Sequence, residues 1–321
     1  MQAYQQVGNR EDLADMIYDI TPVDTPFLSM AKRGTAKAVD PEWQIDSLAA
    51  ANGANKTIEG DDATTDTASA TTKLKNYVQL MDKVVRTSST ADAITTAGRK
   101  KELSYQVTKR ARELKRDMET RLTGNYASAV GAAGTARECA GVEAWLTTNV
   151  TRGTVGATVG ADGGFTAAGT VTAATDNSSS GLLTFTEARL KAVIKNTWVA
   201  GGDPDYIMVG SSNKQVASAF GGIATLYRDT APKLGPASII GAADIYVSDY
   251  GQHKIIANRF SRDRTALVLD MDYWETKYLQ PFKVEKLAKT GHSERRMISV
   301  EFTLCSKNEA ASGAVADLIT S

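Results

Sequence analysis

Between residues 100 and 122 the apolar positions form one narrow stripe. Leu103, Val107, Ala111, Leu114, Met118 and Leu122 recur at spacings of three and four, with charged or polar residues nearly everywhere between them. This is the helical period, and it predicts one long helix over residues 100–122. At about 1.5 Å per residue, the striped part would be roughly 35 Å long. A stripe one residue wide holds a helix along a surface and leaves most of its girth facing water or partners.

Period-two alternation appears on the N-terminal side. Glu42-Trp43-Gln44-Ile45-Asp46 alternates clearly. Lys73-Leu74-Lys75-Asn76-Tyr77-Val78-Gln79-Leu80 does so less cleanly and continues into Val84-Val85. The pattern predicts a two-stranded excursion over 39–86, with a tip of Ala, Gly, Asn, Thr and Asp over about 49–72. An isolated hairpin is marginal in water, so this one needs a surface to lie on. Residues 1–35 read as an arm. Residues 12–20 suit a short helix, and Pro22 and Pro26 then exclude regular structure and favour extended backbone through Ser29. Phe27 and Leu28 would anchor the arm.

Residues 147–181 are rich in Gly, Ala, Thr and Ser, a composition for a flexible loop or a weak β insertion without its own core. Thr184-Phe185-Thr186-Glu187 has the spacing of a capping box opening a helix that stops at Gly201-Gly202-Asp203-Pro204. Tyr206-Ile207-Met208-Val209-Gly210 reads as a buried strand, and residues 213–220 as a short helix. Strand patterns then recur at 244–248, 254–257, 265–269 and 282–287. The clearest is at 296–305, with Ile298, Val300, Phe302 and Leu304 on one face. Segregated helices and antiparallel-type strands predict an α+β fold.

Charge and composition narrow the function. The chain has 321 residues, with 37 basic and 37 acidic side chains. That balance excludes a polyelectrolyte that condenses nucleic acid. There is no signal-peptide h-region and no apolar run long enough to span a bilayer. Cys139 and Cys305 lie far apart without a CxxC pattern, which fits buried thiols in a reducing compartment.

The catalytic inventory is thin. His253 and His292 are expected on the surface, and there is no HExxH, GxSxG or P-loop pattern. No catalytic, cofactor-binding or metal-binding residues are therefore assigned, and the chain is expected not to be an enzyme. Trp43, Trp145, Trp198 and Trp274 are expected to be packing anchors. A hydrolase using acids near Asp203 and Asp205 is a distant alternative.

Two charged features stand out. Glu59, Asp61, Asp62 and Asp66 lie at the hairpin tip, with no Lys or Arg from Ile58 to Thr72. Between Arg99 and Arg121 the long helix carries nine basic residues against four acidic ones. A neighbour's acidic hairpin near this basic helix would be electrostatically complementary. Two independently solvated faces of unlike sign account for the pattern equally well.

In this order, the parts resemble a tailed double-stranded DNA bacteriophage major capsid protein of the Hong Kong-type fold. Several segments are similar to those of the SU-ten-like podophage capsid protein family. They are Thr25-Pro26-Phe27-Leu28, Glu113-Leu114-Lys115-Arg116-Asp117-Met118-Glu119, Ala140-Gly141-Val142-Glu143-Ala144-Trp145-Leu146 and Trp198-Val199-Ala200-Gly201-Gly202. Leu287-Ala288-Lys289-Thr290-Gly291, Val300-Glu301-Phe302-Thr303-Leu304 and Asn308-Glu309-Ala310-Ala311 through Ala316-Asp317-Leu318 fit as well. Residues 150–182 fit least.

The resemblance implies an N-terminal arm (1–38), an extended β-hairpin loop (39–88) and a peripheral domain with the spine helix (89–146). A variable insertion (147–183), an axial domain (184–243) and peripheral-domain strands with the C-terminus (244–321) would follow. It further implies an icosahedral shell of hexamers and pentamers around double-stranded DNA, assembled in the host bacterial cytoplasm. Portal and optionally a decoration protein would be partners. The chain starts at the arm, which implies a separate scaffolding protein. In the family the loop lies across the adjacent subunit, making Glu59, Asp61, Asp62, Asp66, Arg112 and Arg116 the candidate inter-subunit contacts. Lys56 is the one tip lysine available for the cross-link that some members of the fold make. An encapsulin-like shell holding cargo enzyme is the alternative within the same fold.

Overall fold

The structure is a computed structural model that describes residues 24–60, 62, 70–94, 101–220 and 245–320. The reading of residues 12–20 lies outside them. The N-terminal part contains α1 (Pro26–Met30), β1 (Lys32–Thr35), β2 (Glu42–Ile45), β3 (Thr72–Lys75), β4 (Gln79–Ser88), α2 (Ser89–Ala93) and α3 (Glu102–Thr123). The middle contains α4 (Val142–Trp145), β5 (Val150–Thr151), β6 (Gly164–Phe165), β7 (Val171–Thr172), α5 (Glu187–Val199), β8 (Tyr206–Val209) and α6 (Ser211–Ser218). The last part contains β9 (Ile245–Ser248), β10 (Gly251–Ala257), β11 (Ala266–Leu269), β12 (Trp274–Lys286), β13 (Ser293–Ser306) and β14 (Gly313–Val315).

The spine helix expected from the stripe is α3. Leu103, Leu114, Met118 and Leu122 are buried, while Val107 and Ala111 pack partly buried against the same core. The helix lies on a four-stranded sheet of order β1-β12-β13-β4. Ile298, Val300, Phe302 and Leu304 of β13 are buried together against it, as their alternation requires. Lys83 on β4 reaches Asp117 on α3 at 2.7 Å and ties sheet to helix.

A six-stranded sheet, β5-β14-β11-β8-β10-β9, forms the second layer. Its inner strand β11 is buried on both faces, which explains the continuous apolar run of Ala266-Leu267-Val268-Leu269. Ala266 and Val268 face a core with Leu190, Val193 and Ile194 of α5. Leu267 and Leu269 face the core that contains the spine helix. The two sheets are therefore held by one shared core.

Several expectations change. The tail strands divide between the sheets, with β9, β10, β11 and β14 joining β8 and only β12 and β13 joining β4. Parallel pairs β8–β10, β1–β12 and β5–β14 make both sheets mixed. The hairpin strand does not run through to Val84-Val85. Asn76, Tyr77 and Val78 are buried between β3 and β4, and β4 enters the other sheet. Pro26 begins a helix rather than preventing one, because at the first helical position its missing N–H is not needed. Thr186, not Thr184, caps α5, so Glu187 falls in the first turn and no capping box forms. Glu187 instead accepts from the Tyr246 hydroxyl at 3.2 Å and pairs with Lys191.

Glu119 fixes the end of the arm. This fully buried carboxylate accepts the Phe27 and Leu28 N–H groups at 2.8 and 2.9 Å, and the Asn258 amide at 2.6 Å. The first N–H groups of α1 have no partner within that helix, so a carboxylate there satisfies them. Phe27 and Leu28 are thereby seated in the spine-helix core, as anchors of the arm.

Removing that acceptor leaves buried donors unpaired, each costing about 1–3 kcal/mol. Glu119→Ala is expected to lower the denaturant midpoint strongly. Glu113→Ala, which removes only the half-buried pair with Arg110, should change stability by less than about 0.5 kcal/mol. Equal midpoints for the two variants would contradict this role.

Candidate assembly surface

The extended hairpin is fastened at its base, and its residues 46–60 are exposed. At the base, the Trp43 indole donates to the Ser306 carbonyl at 2.7 Å and lies 5.7 Å from Trp145. Trp145 stacks on Phe165 of the insertion at 6.0 Å, and the Lys277 ammonium sits 5.7 Å from the Trp43 ring. Buried Asn76 donates to the Leu304 carbonyl at 2.8 Å and accepts the Ala140 N–H at 3.1 Å. These contacts fasten β2 and β3 to the subunit.

All described residues from 46 to 60 are exposed. Leu48 is 99% exposed and Ile58 77%. Lys56, Glu59 and Asp62 stand on this exposed stretch, while Asp61 and Asp66 lie outside the described residues.

On the spine helix the two candidate arginines differ. Arg112 is exposed. Arg116 is half-buried, with its guanidinium 5.4 Å from the Phe260 ring centre and its Nε buried without an acceptor. Part of Arg116 is thus committed to packing within its own subunit. No ion pair joins Glu59 to Arg112 or Arg116 within the chain.

The insertion is secured rather than loose. β5 pairs with β14, β6 pairs with β7, and Asn177 donates its backbone N–H to Asp317 at 2.9 Å. Asp317 is fully buried in the left-handed region at φ 56°, and Arg152 approaches it at 3.7 Å while pairing with Asp162. Close by, buried Glu143 accepts from Arg262 at 3.2 Å and from the Thr265 hydroxyl at 2.8 Å, and Arg262 also pairs with Asp176. Burial pushes the Glu143 carboxyl above its ordinary value, opposed by the Arg262 charge. Sequence patterning missed Glu119, Glu143, Asn76 and Asp317. For Glu119 alone there was a signal: it sits three residues before Leu122, on the flank of the stripe.

The expected surface position of His253 is wrong. It is buried on β10, with Nδ1 at the Pro204 carbonyl and Nε2 2.7 Å from the Ser248 hydroxyl. The turn at Asp249 and Tyr250 misleads, because the strand that follows it turns the His253 side chain inward. His292 is exposed. Trp145 and Trp274 are fully buried anchors, but Trp198 is 53% exposed and tilts against Tyr250. Both thiols are buried and unpaired. Asp203 and Asp205 are exposed. Among the described residues, no helix is long and apolar enough to cross a membrane.

The family model for the SU10 major capsid protein matches residues 1–319 of the chain. The chain belongs to the SU10 major capsid protein family. It is a phage major capsid protein, a structural component of the virion that assembles with copies of itself into a shell. The major capsid protein of Escherichia phage Phieco32 is 28% identical over 98% of this chain and 95% of its own length. The cyanophage A-1(L) capsid subunit has the same fold, with a TM-score of 0.65 at 12% identity over 97% of this chain and 98% of its own. The SrpI encapsulin of Synechococcus elongatus PCC 7942 shares the fold at a TM-score of 0.55 and 12% identity, over 98% of this chain and 94% of its own. The α+β capsid fold expected from the sequence is thus the fold observed.

Glu143 supplies a pH test. A carboxyl whose folded-state pKa is raised binds its proton more tightly folded than unfolded. Its stabilising share is full below the ordinary value of 4.5 and is lost as pH rises through the raised value. Stability of the native chain should therefore fall relative to Glu143→Gln as pH climbs through that window. Parallel stability–pH curves would contradict the assignment.

Proposed function

We propose that copies of the chain close into the hexamers and pentamers of an icosahedral shell around double-stranded DNA, assembled in the host cytoplasm. In this reading, the four-stranded sheet with α3 is the peripheral domain. The six-stranded sheet with α5 and α6 is the axial domain near the capsomer centre. The hairpin crosses the adjacent subunit, so that Glu59, Asp61, Asp62 or Asp66 meets basic residues there, Arg112 foremost. Portal, scaffolding and decoration proteins are the further partners this reading expects.

The observation that carries the reading is the hairpin, fixed at its base by Trp43 and Asn76 yet exposed along residues 46–60. A neighbour's surface supplies the burial that the subunit withholds. The balanced charge suits a container filled by a motor rather than by condensation on basic tails. Individually modest contacts repeated around a shell give a stable whole through multivalency.

Electron microscopy of the purified chain tests this. Closed shells of uniform diameter are expected, and a strictly monomeric species would contradict the reading. Protein cargo in place of DNA in shells from infected cells would favour the encapsulin alternative. Arg112→Glu should leave the subunit folded and lower shell yield several-fold, whereas Arg116→Glu should also lower stability. Normal shells at normal yield from Arg112→Glu would remove Arg112 from the interface. For Lys56, intact denatured mass decides: a cross-linked shell gives multimers, and monomer alone at the sequence mass excludes the cross-link.

A further inference from the structure

The hairpin tip carries an apolar side chain next to acids. Ile58, 77% exposed, directly precedes Glu59, and Asp61 and Asp62 follow. Elsewhere on the subunit, a cleft of about 300 Å³ opens between α1, α3 and the middle of β12. Leu28, Tyr278, Pro281 and Phe282 form its apolar wall, and Arg33 and Lys115 stand in its lining, which contains no carboxylate. The Lys115 ammonium lies 6.0 Å from the Phe282 ring centre, and Arg112 follows the same helix face one turn away.

The cleft exists because the edge of the sheet is interrupted there. β1 pairs with β12 only as far as Tyr278, and the β12–β13 register breaks between Tyr278 and Gln280 and again before Lys283. The bulge presents Pro281 and Phe282 outward. Pro281 has no N–H to offer an added strand, so this edge offers a side-chain pocket rather than a site for strand pairing.

We propose that this cleft receives Ile58 from a neighbouring copy of the chain, with Glu59 set against Arg33 and Lys115. The inference rests on the hairpin crossing to a neighbour, and it gives that hairpin a receptor. An exposed apolar knob beside an acid fits an apolar hollow beside cations. Arg116, turned onto Phe260, stands outside the receptor. The contact is heterologous, since tip and cleft are different surfaces, and such contacts close into rings when the rotation allows.

Paired cysteines test the assignment. Chains carrying Ile58→Cys and Phe282→Cys are assembled, oxidised and run denatured without reductant. Most of the protein should migrate as covalent multimers that collapse to monomer on reduction, because disulfide formation needs Cα atoms within about 7 Å. Each single variant should remain monomeric, since native Cys139 and Cys305 are buried. Monomer alone from well-formed shells overturns the cleft assignment while leaving the shell reading intact. Absence of shells from the native chain overturns the shell reading itself. A charge exchange covers the case in which the paired cysteines block assembly. Lys115→Glu should lower shell yield several-fold, and adding Glu59→Lys should restore it. Failure of the second substitution to restore yield overturns the pairing.

Discussion

A two-stranded ribbon with a small, polar tip cannot bury itself, and the rest of this subunit is arranged around that constraint. Leu48 and Ile58 stay in solvent because Ala, Gly, Asn and Thr around them supply no apolar surface to cover them. An exposed isoleucine costs about 1.5–3 kcal/mol relative to a buried one. That free energy is recovered only where a second surface arrives, so a loop that is marginal alone favours assembly.

The loop can serve in this way only if its base is rigid. Trp43 and Asn76 bind it to β13, and Trp145 and Phe165 continue the aromatic contact into the insertion. The same β13 pairs with β4 and packs on α3. Glu119 then ties α3 to the end of the arm through two backbone N–H groups. The end of the arm, the spine, the sheet and the hairpin base thus form one body, and residues 46–60 stand exposed beyond the base. Burial raises the Glu119 carboxyl, and the three hydrogen-bond donors around it act in the opposite direction.

Much of this is legible along the chain where one period dominates. The stripe of α3 and the alternation of Ile298, Val300, Phe302 and Leu304 each obey a single geometry, and both elements appear where the pattern places them. Legibility fails where tertiary context decides. β12 is twice as long as the alternating segment at 282–287 suggests, because its register breaks at bulges that periodicity cannot reveal. The strands at 245–269 resemble those at 274–306, yet they leave for the other sheet, since pairing partners are set across the fold. The burial of Glu119 and Glu143 depends on donors from Phe27, Leu28, Asn258 and Thr265 far away in sequence. For the assembly surface, the sequence marks the acidic tip and the basic helix. It does not mark that Arg116 folds onto Phe260.

Hydrogen exchange on the backbone amides of residues 46–60, compared between unassembled subunits and closed shells, tests the central claim most directly. The account predicts slowing of at least about tenfold on assembly, equivalent to about 1.4 kcal/mol, with β2 and β3 at the hairpin base changing far less. Equal exchange of the tip in subunit and shell would show that no neighbour covers it and would contradict the account.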